Sequence, residues 1–180
     1  MNKKILLLTT LAGSLFFSGC TKDDLDVNFS MDAATITFTV NPTPVPGEID
    51  LMKTELTYKL DSICGIYGVN KNQIQSVKIR EIWFDMLDND NTTFDIVDFA
   101  EGYLSCDSKP ETLVAKKNPV PKDHVRTLML DEISPEVELA DFVKGTGLKV
   151  RVHGLVNAPI NNPLPMRCRI SFDLVASPIN

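Results

Sequence analysis

Histidine is scarce in this chain of 180 residues, with two in all, beside one tryptophan and three tyrosines. His124 follows Lys122-Asp123 and His153 lies just past Arg151. Neither has a second ligand at metal-binding spacing, and H-E-x-x-H is absent. A G-x-S-x-G elbow, a phosphate-binding glycine loop and a dinucleotide fingerprint are absent as well. The four cysteines form no C-x-x-C, which removes the sequence support for zinc or thioredoxin-like chemistry. A nucleophile and base, Cys64 with His153 for example, would have to be brought together by the fold, since no local motif joins them. These absences predict a protein that is not an enzyme and carries no cofactor. Basic residues are also in the minority: 18 Lys and Arg against 24 Asp and Glu give a net charge of −6. An acidic chain repels phosphate backbones, so nucleic acid is not an expected partner. No apolar run reaches the roughly 20 residues of a membrane-spanning helix.

What is present begins at the N-terminus. Lys3 and Lys4 precede an apolar stretch over residues 5–17, the layout of a cleavable secretory leader. The stretch stops at Phe17-Ser18-Gly19-Cys20, which resembles the lipobox of bacterial lipoproteins, with a small residue before the cysteine at the cleavage point. That resemblance implies cleavage after residue 19, a diacylglycerol on the Cys20 thiol and a further acyl chain, such as palmitate, on its amine. The alternative is an ordinary leader with an incidental cysteine. Thr21-Lys22-Asp23-Asp24 resembles the short Lys-plus-acidic signal that carries lipoproteins to the outer surface of the outer membrane in one lineage of Gram-negative gut bacteria. A plain solvated tether, leaving the protein on the periplasmic face, is the alternative. The predicted organisation is therefore a signal peptide over 1–19, a lipid-anchored tether over 20–33 and one domain over 34–180. Without Lys3 and Lys4, sixteen bases face twenty-four acids, a balance of −8.

Acylation of Cys20 leaves Cys64, Cys106 and Cys168. At most one disulfide can form among them, three pairings are open, and buried free thiols are the alternative.

The domain itself reads as strands. Ala34-Thr35-Ile36-Thr37-Phe38-Thr39-Val40 alternates with period two, and three prolines over residues 42–46 take the chain out of the sheet. Leu60, Ile63, Cys64 and Tyr67 form one stripe of a short helix over 55–68, closed by Gly68. In residues 73–87, Val77 and Ile79 share one parity while Ile82, Phe84 and Met86 share the other. A β-bulge near Arg80-Glu81 reconciles them. Strands follow over 99–106, 112–116 and 125–130, with a turn at Lys109-Pro110-Glu111. A helical turn carries Leu139, Phe142 and Val143, and a final hairpin pairs residues 148–152 with 166–174. The predicted fold is mainly β, a two-sheet antiparallel sandwich with one or two short helices. The layout resembles single-domain immunoglobulin-like lipoproteins of gut bacteria, most of them uncharacterised.

Three groups of residues are candidates for binding. Trp83 shares its strand face with Glu81 and Asp85, so its indole could stack on a sugar ring while the acids accept from hydroxyls; Tyr103, at matching parity, would extend that platform. The alternative is an indole tucked under a loop. Lys149, Arg151, Arg167 and Arg169 would form a basic patch if the last two strands pair, fit for an acidic partner or an anionic glycan. Asp88, Asp90 and Asp95 supply the oxygen ligands calcium prefers, without the glycine and glutamate of an EF-hand loop; a solvated loop is the alternative. The function these features predict is a non-catalytic surface lipoprotein binding a glycan, host molecule or partner protein. A structural subunit of an envelope or fimbrial assembly is the second reading, and an envelope hydrolase the third.

Overall fold

A computed structural model describes residues 26–87 and 92–177. The leader, Cys20 and the Lys-acidic segment lie outside the described residues, as do Asp88 and Asp90. Nine strands and two short helices follow one another as β1 (Val27–Val40), β2 (Gly47–Glu55), α1 (Leu60–Ile66), β3 (Ile74–Met86), β4 (Val97–Cys106), β5 (Lys109–Lys117), β6 (Thr127–Met129), β7 (Glu132–Ile133), α2 (Ala140–Lys144), β8 (Lys149–Val156) and β9 (Leu164–Ala176). They form a four-stranded sheet, β1-β9-β3-β6, and a five-stranded sheet, β2-β8-β4-β5-β7, all antiparallel. The chain is thus the expected mainly β sandwich. Its pairings are nested: β1 with β9, β2 with β8, β3 with β6 and β4 with β5. An antiparallel ribbon wound on itself in this way is a jelly roll, whereas an immunoglobulin domain orders its strands ABED and CFG.

Period-two burial builds the core between the sheets. In β9 alone Met166, Cys168, Ile170, Phe172 and Leu174 are each at most 2% exposed. Two strands need a bulge to keep this up. β3 shifts register between Ile79 and Glu81, and Val77, Ile79, Ile82, Phe84 and Met86 all enter the core. β1 does the same between Asp32 and Ala34. Phe29 and Met31 are therefore buried ahead of the bulge, and the strand begins at Val27, inside the stretch expected to be tether. The parity change at the bulge is what hides this extension from a strict alternation pattern.

Two local expectations are corrected. Residues 107–108 form the turn between β4 and β5, and Lys109-Pro110-Glu111 opens β5; proline is tolerated at a strand's start, where its missing N–H is least needed. More consequentially, β8 and β9 do not pair. The segment between them crosses from one sheet to the other, beside the proline-rich crossing from β1 to β2. The two crossings are tied by reciprocal bonds, Thr43 N–H to the Ile160 carbonyl at 2.8 Å and Ile160 N–H to the Thr43 carbonyl at 2.9 Å.

Candidate functional site

Because β8 and β9 part, the candidate residues divide between two outer faces on opposite sides of the sandwich. On the four-stranded sheet, Trp83 sits between Arg169 of β9 and Met129 of β6, and Asp85 between Arg167 and Thr127. Their neighbours Ile82 and Phe84 point into the core, so Trp83 faces outward and is half-buried. Its indole N–H donates to Glu81 Oε2 at 3.0 Å, and the Arg169 guanidinium stands 5.9 Å from its ring. This hydrogen bond, reinforced by Arg80, holds the Glu81 carboxyl below its ordinary pKa.

Asp85 organises the rest of the face. Arg167 Nε donates to its Oδ2 at 2.9 Å, while Arg169 Nη2 at 3.3 Å and the Thr127 hydroxyl at 3.0 Å donate to Oδ1. The carboxylate is buried, 8% exposed, but the Arg167 and Arg169 side chains remain 42% and 45% exposed. Both cations are thus anchored at one end and keep donors in solvent. Burial alone would raise the Asp85 pKa. The bonds from Arg167 and Thr127 and the two guanidinium charges outweigh it, and the group is held below the ordinary value of 3.8. A lowered carboxyl pKa stabilises the fold above the unfolded-state value and loses that contribution as pH falls through the folded one. Asp85→Ala is therefore expected to cost about 1–2 kcal/mol at neutral pH, the low end for charged hydrogen bonds because both arginines can rehydrate. The difference from wild type should vanish in urea titrations run in strong acid.

Tyr103 and Arg151 lie on the other outer face. The Arg151 guanidinium stacks over the Tyr103 ring at 4.4 Å. It is clamped by Glu111, at 2.8 and 2.7 Å, and by Asp50 at 2.9 Å. Tyr103 donates to Glu101 at 2.5 Å, and this bond, with burial, raises the phenol pKa. His153 completes the row between Asp50 at 3.4 Å and Glu48 at 3.6 Å. Neither the Trp83–Tyr103 platform nor the four-residue basic patch forms, because each draws residues from both sheets. Lys149 on β8 faces Asp107 at 3.8 Å instead.

Asp95, the described member of the calcium triplet, accepts from the His124 backbone N–H at 3.0 Å and pairs with His124 Nδ1 at 2.5 Å. Among the described residues no group of three His, Cys, Asp or Glu side chains is placed to hold a metal ion. Cys64, Cys106 and Cys168 are buried free thiols. Burial pushes the Cys168 pKa up to about 12. Cys64 lies in the core on α1 and His153 on the outside of a sheet, so that pair is not brought together. A cleft of about 470 Å³ lies apart from Trp83, lined by Tyr58, Lys59, Lys71, Lys144 and Thr146. The Tyr58 hydroxyl donates to the Val143 carbonyl there.

Besides Asp50 and Glu111 at Arg151, the sequence reading missed Thr127 and Glu138. Thr127 lies on the strand expected over 125–130, but no local signal showed that this strand pairs with β3 and brings its hydroxyl to Asp85. Glu138, in a polar stretch, accepts from the Ser76 hydroxyl at 2.7 Å, the Val77 N–H at 2.6 Å and the Ala140 N–H at 2.9 Å, which locks α2 onto β3.

No family model matches the chain, and no curated protein matches it. Among solved structures, that of the infectious bursal disease virus Gt strain is similar at a TM-score of 0.36 and 12% identity, covering 97% of this chain and 37% of that one. The Gx strain structure gives 0.35 and 11%, covering 86% and 34%. A structure of black queen cell virus gives 0.27 and 8%, covering 98% and 82%. The chain spans little more than a third of the length of the bursal disease virus chains, and likenesses at this level carry no functional argument. Among the described residues no helix is long and apolar enough to cross a membrane.

Proposed function

We propose that this chain is a non-catalytic lipoprotein of the bacterial cell envelope, anchored through acylated Cys20 and displayed on the outer membrane surface. Its four-stranded sheet face binds a glycan or partner protein. One observation carries the binding half of this proposal: Trp83 faces outward and is half-buried, its indole is fixed by Glu81, and the partly exposed guanidinium groups of Arg169 and Arg167 lie on the same face. An aromatic face flanked by fixed acceptors and donors suits a ring that is apolar on one side and hydroxylated at its edge. The face is open rather than a pocket, which suits a chain or surface more than a small metabolite. The lipobox-like segment, followed by Lys22-Asp23-Asp24, supports the location.

The test is a glycan array followed by titration calorimetry on the best ligand. Trp83→Ala is expected to weaken binding tenfold or more, about 1.4 kcal/mol, as for an aromatic anchor at an interface. Tyr103→Ala, on the opposite face, is expected to leave affinity unchanged. Equal loss from both variants, or from neither, would overturn the assignment to this face.

A further inference from the structure

The edges of the two sheets are unequally protected. β2 carries Glu48, Asp50, Lys53 and Glu55 and a register shift between Asp50 and Met52. β6 and β7 are three and two residues long. Where β3 extends past β6 it is covered: Val77 donates to Glu138 at 2.6 Å, and Leu139 N–H donates to the Val77 carbonyl at 3.0 Å. Charge, bulges, brevity and covering are the usual means by which an edge strand avoids pairing with another chain.

β1 has a bulge at Asp32/Ala34 and, beyond it, none of these. It runs for 14 residues with β9 on one side and, among the described residues, no strand on the other. Residues 33–40 contain no charge, proline or glycine, and six of them, from Thr35 to Val40, are β-branched or aromatic. Thr35, Thr37 and Thr39 face solvent, while Ile36 and Phe38 stay half-buried beside an open slot of about 320 Å³ between β1 and β2, which Ile49 also lines.

This segment is also a near palindrome. Turned about Thr37, Thr35 meets Thr39, Ile36 meets Phe38, and Thr37 meets itself. A two-fold axis perpendicular to the sheet keeps each face on its own side. Threonines then oppose threonines in solvent, and an aromatic opposes a β-branched residue toward the slot, both favourable cross-strand pairs. No charge within residues 35–39 opposes another.

We propose that two copies of this chain associate by antiparallel pairing of β1 with β1 about Thr37, joining their four-stranded sheets into one. A second copy is the occupant that the strand's own symmetry selects. This interface uses neither Trp83 nor the lipid anchor.

Sedimentation equilibrium of the full chain in density-matched detergent tests it, together with hydrogen exchange at residues 35–39. Wild type is expected to dimerise with those amides protected as the dimer forms. Thr37→Glu and Thr37→Lys each place like charges face to face at the two-fold and are expected to weaken association about fivefold. Glu is also tolerated within one copy, since Thr37 lies opposite Arg167. An equimolar mixture of the two variants should restore dimerisation, and the uncharged, β-branched Thr37→Val should retain it. Unchanged urea midpoints separate loss of association from loss of fold. A wild type that stays monomeric would overturn the proposal, including one whose residues 35–39 are already protected by its own N-terminal segment. So would a dimer indifferent to both charges, or a mixture that fails to recover.

Discussion

On the lipoprotein proposal, cells carrying Cys20→Ser are expected to lose the protein from the outer membrane fraction and to incorporate no labelled palmitate into it, while the folded domain is unaffected. Each buried methylene contributes about 0.8 kcal/mol, so one acyl chain binds a membrane reversibly and two or three hold it for the life of the protein. Serine has the size of cysteine but cannot form the thioether. If the lipobox is read as proposed, the substitution removes every chain at once, including the one on the amine, because cleavage before residue 20 would follow lipidation of the thiol. Outer-membrane retention then drops by orders of magnitude rather than by a fraction, and the chain keeps its leader. Fractionation and labelling of whole cells read both effects. Acyl label persisting on the Cys20→Ser protein would overturn the lipoprotein proposal and leave the sandwich intact.

Phe172→Ala is expected to lower the unfolding free energy by about 3–5 kcal/mol, the range for deleting a buried aromatic side chain. Phe172 is 0% exposed at the middle of β9, opposite Met31 of β1 and Ile79 of β3. β9 is a central strand of its sheet, so the cavity opens where strands on both sides are hydrogen-bonded and cannot close in without breaking a ladder. A loss of this size is a large part of the 5–15 kcal/mol that holds an ordinary domain. Val45→Ala makes the contrast, since that side chain is 68% exposed in the crossing between sheets and is expected to change stability by less than about 0.5 kcal/mol. Urea denaturation followed by the fluorescence of Trp83 measures both.

The bulge in β3 was legible in the sequence because two apolar sets of opposite parity, Val77 and Ile79 against Ile82, Phe84 and Met86, cannot enter one core from a regular strand. Gly68, with φ of 71°, ends the α1 region as its position predicted; of the expected stripe Leu60 and Cys64 are buried, while Ile63 is half-buried and Tyr67 is exposed. The matching bulge in β1 was not legible. The residues before it, Val27, Phe29 and Met31, follow a charged run and alternate with Asn28 and Ser30, a pattern a tether could share. The trio Glu81, Trp83 and Asp85 was legible as one face of one strand, since alternation sets which side chains leave the core together. Its union with Arg167 and Arg169, and the separation of both from Tyr103 and Arg151, was not.

Local periodicity determined by itself that the chain is β, where most strands run and which side of each is buried. Tertiary structure alone decided which strands are neighbours. The cause is the range of the forces involved. Alternating hydrophobicity acts within a strand and is written in consecutive residues. Strand pairing depends on where the crossing loops carry the chain, and β8 and β9 alternate equally well in one sheet or in two. Asp85 binds Arg167 rather than Arg151 for that reason: the crossing after β8, bonded at Ile160 to Thr43 of the β1–β2 crossing, carries the last strand into the other sheet.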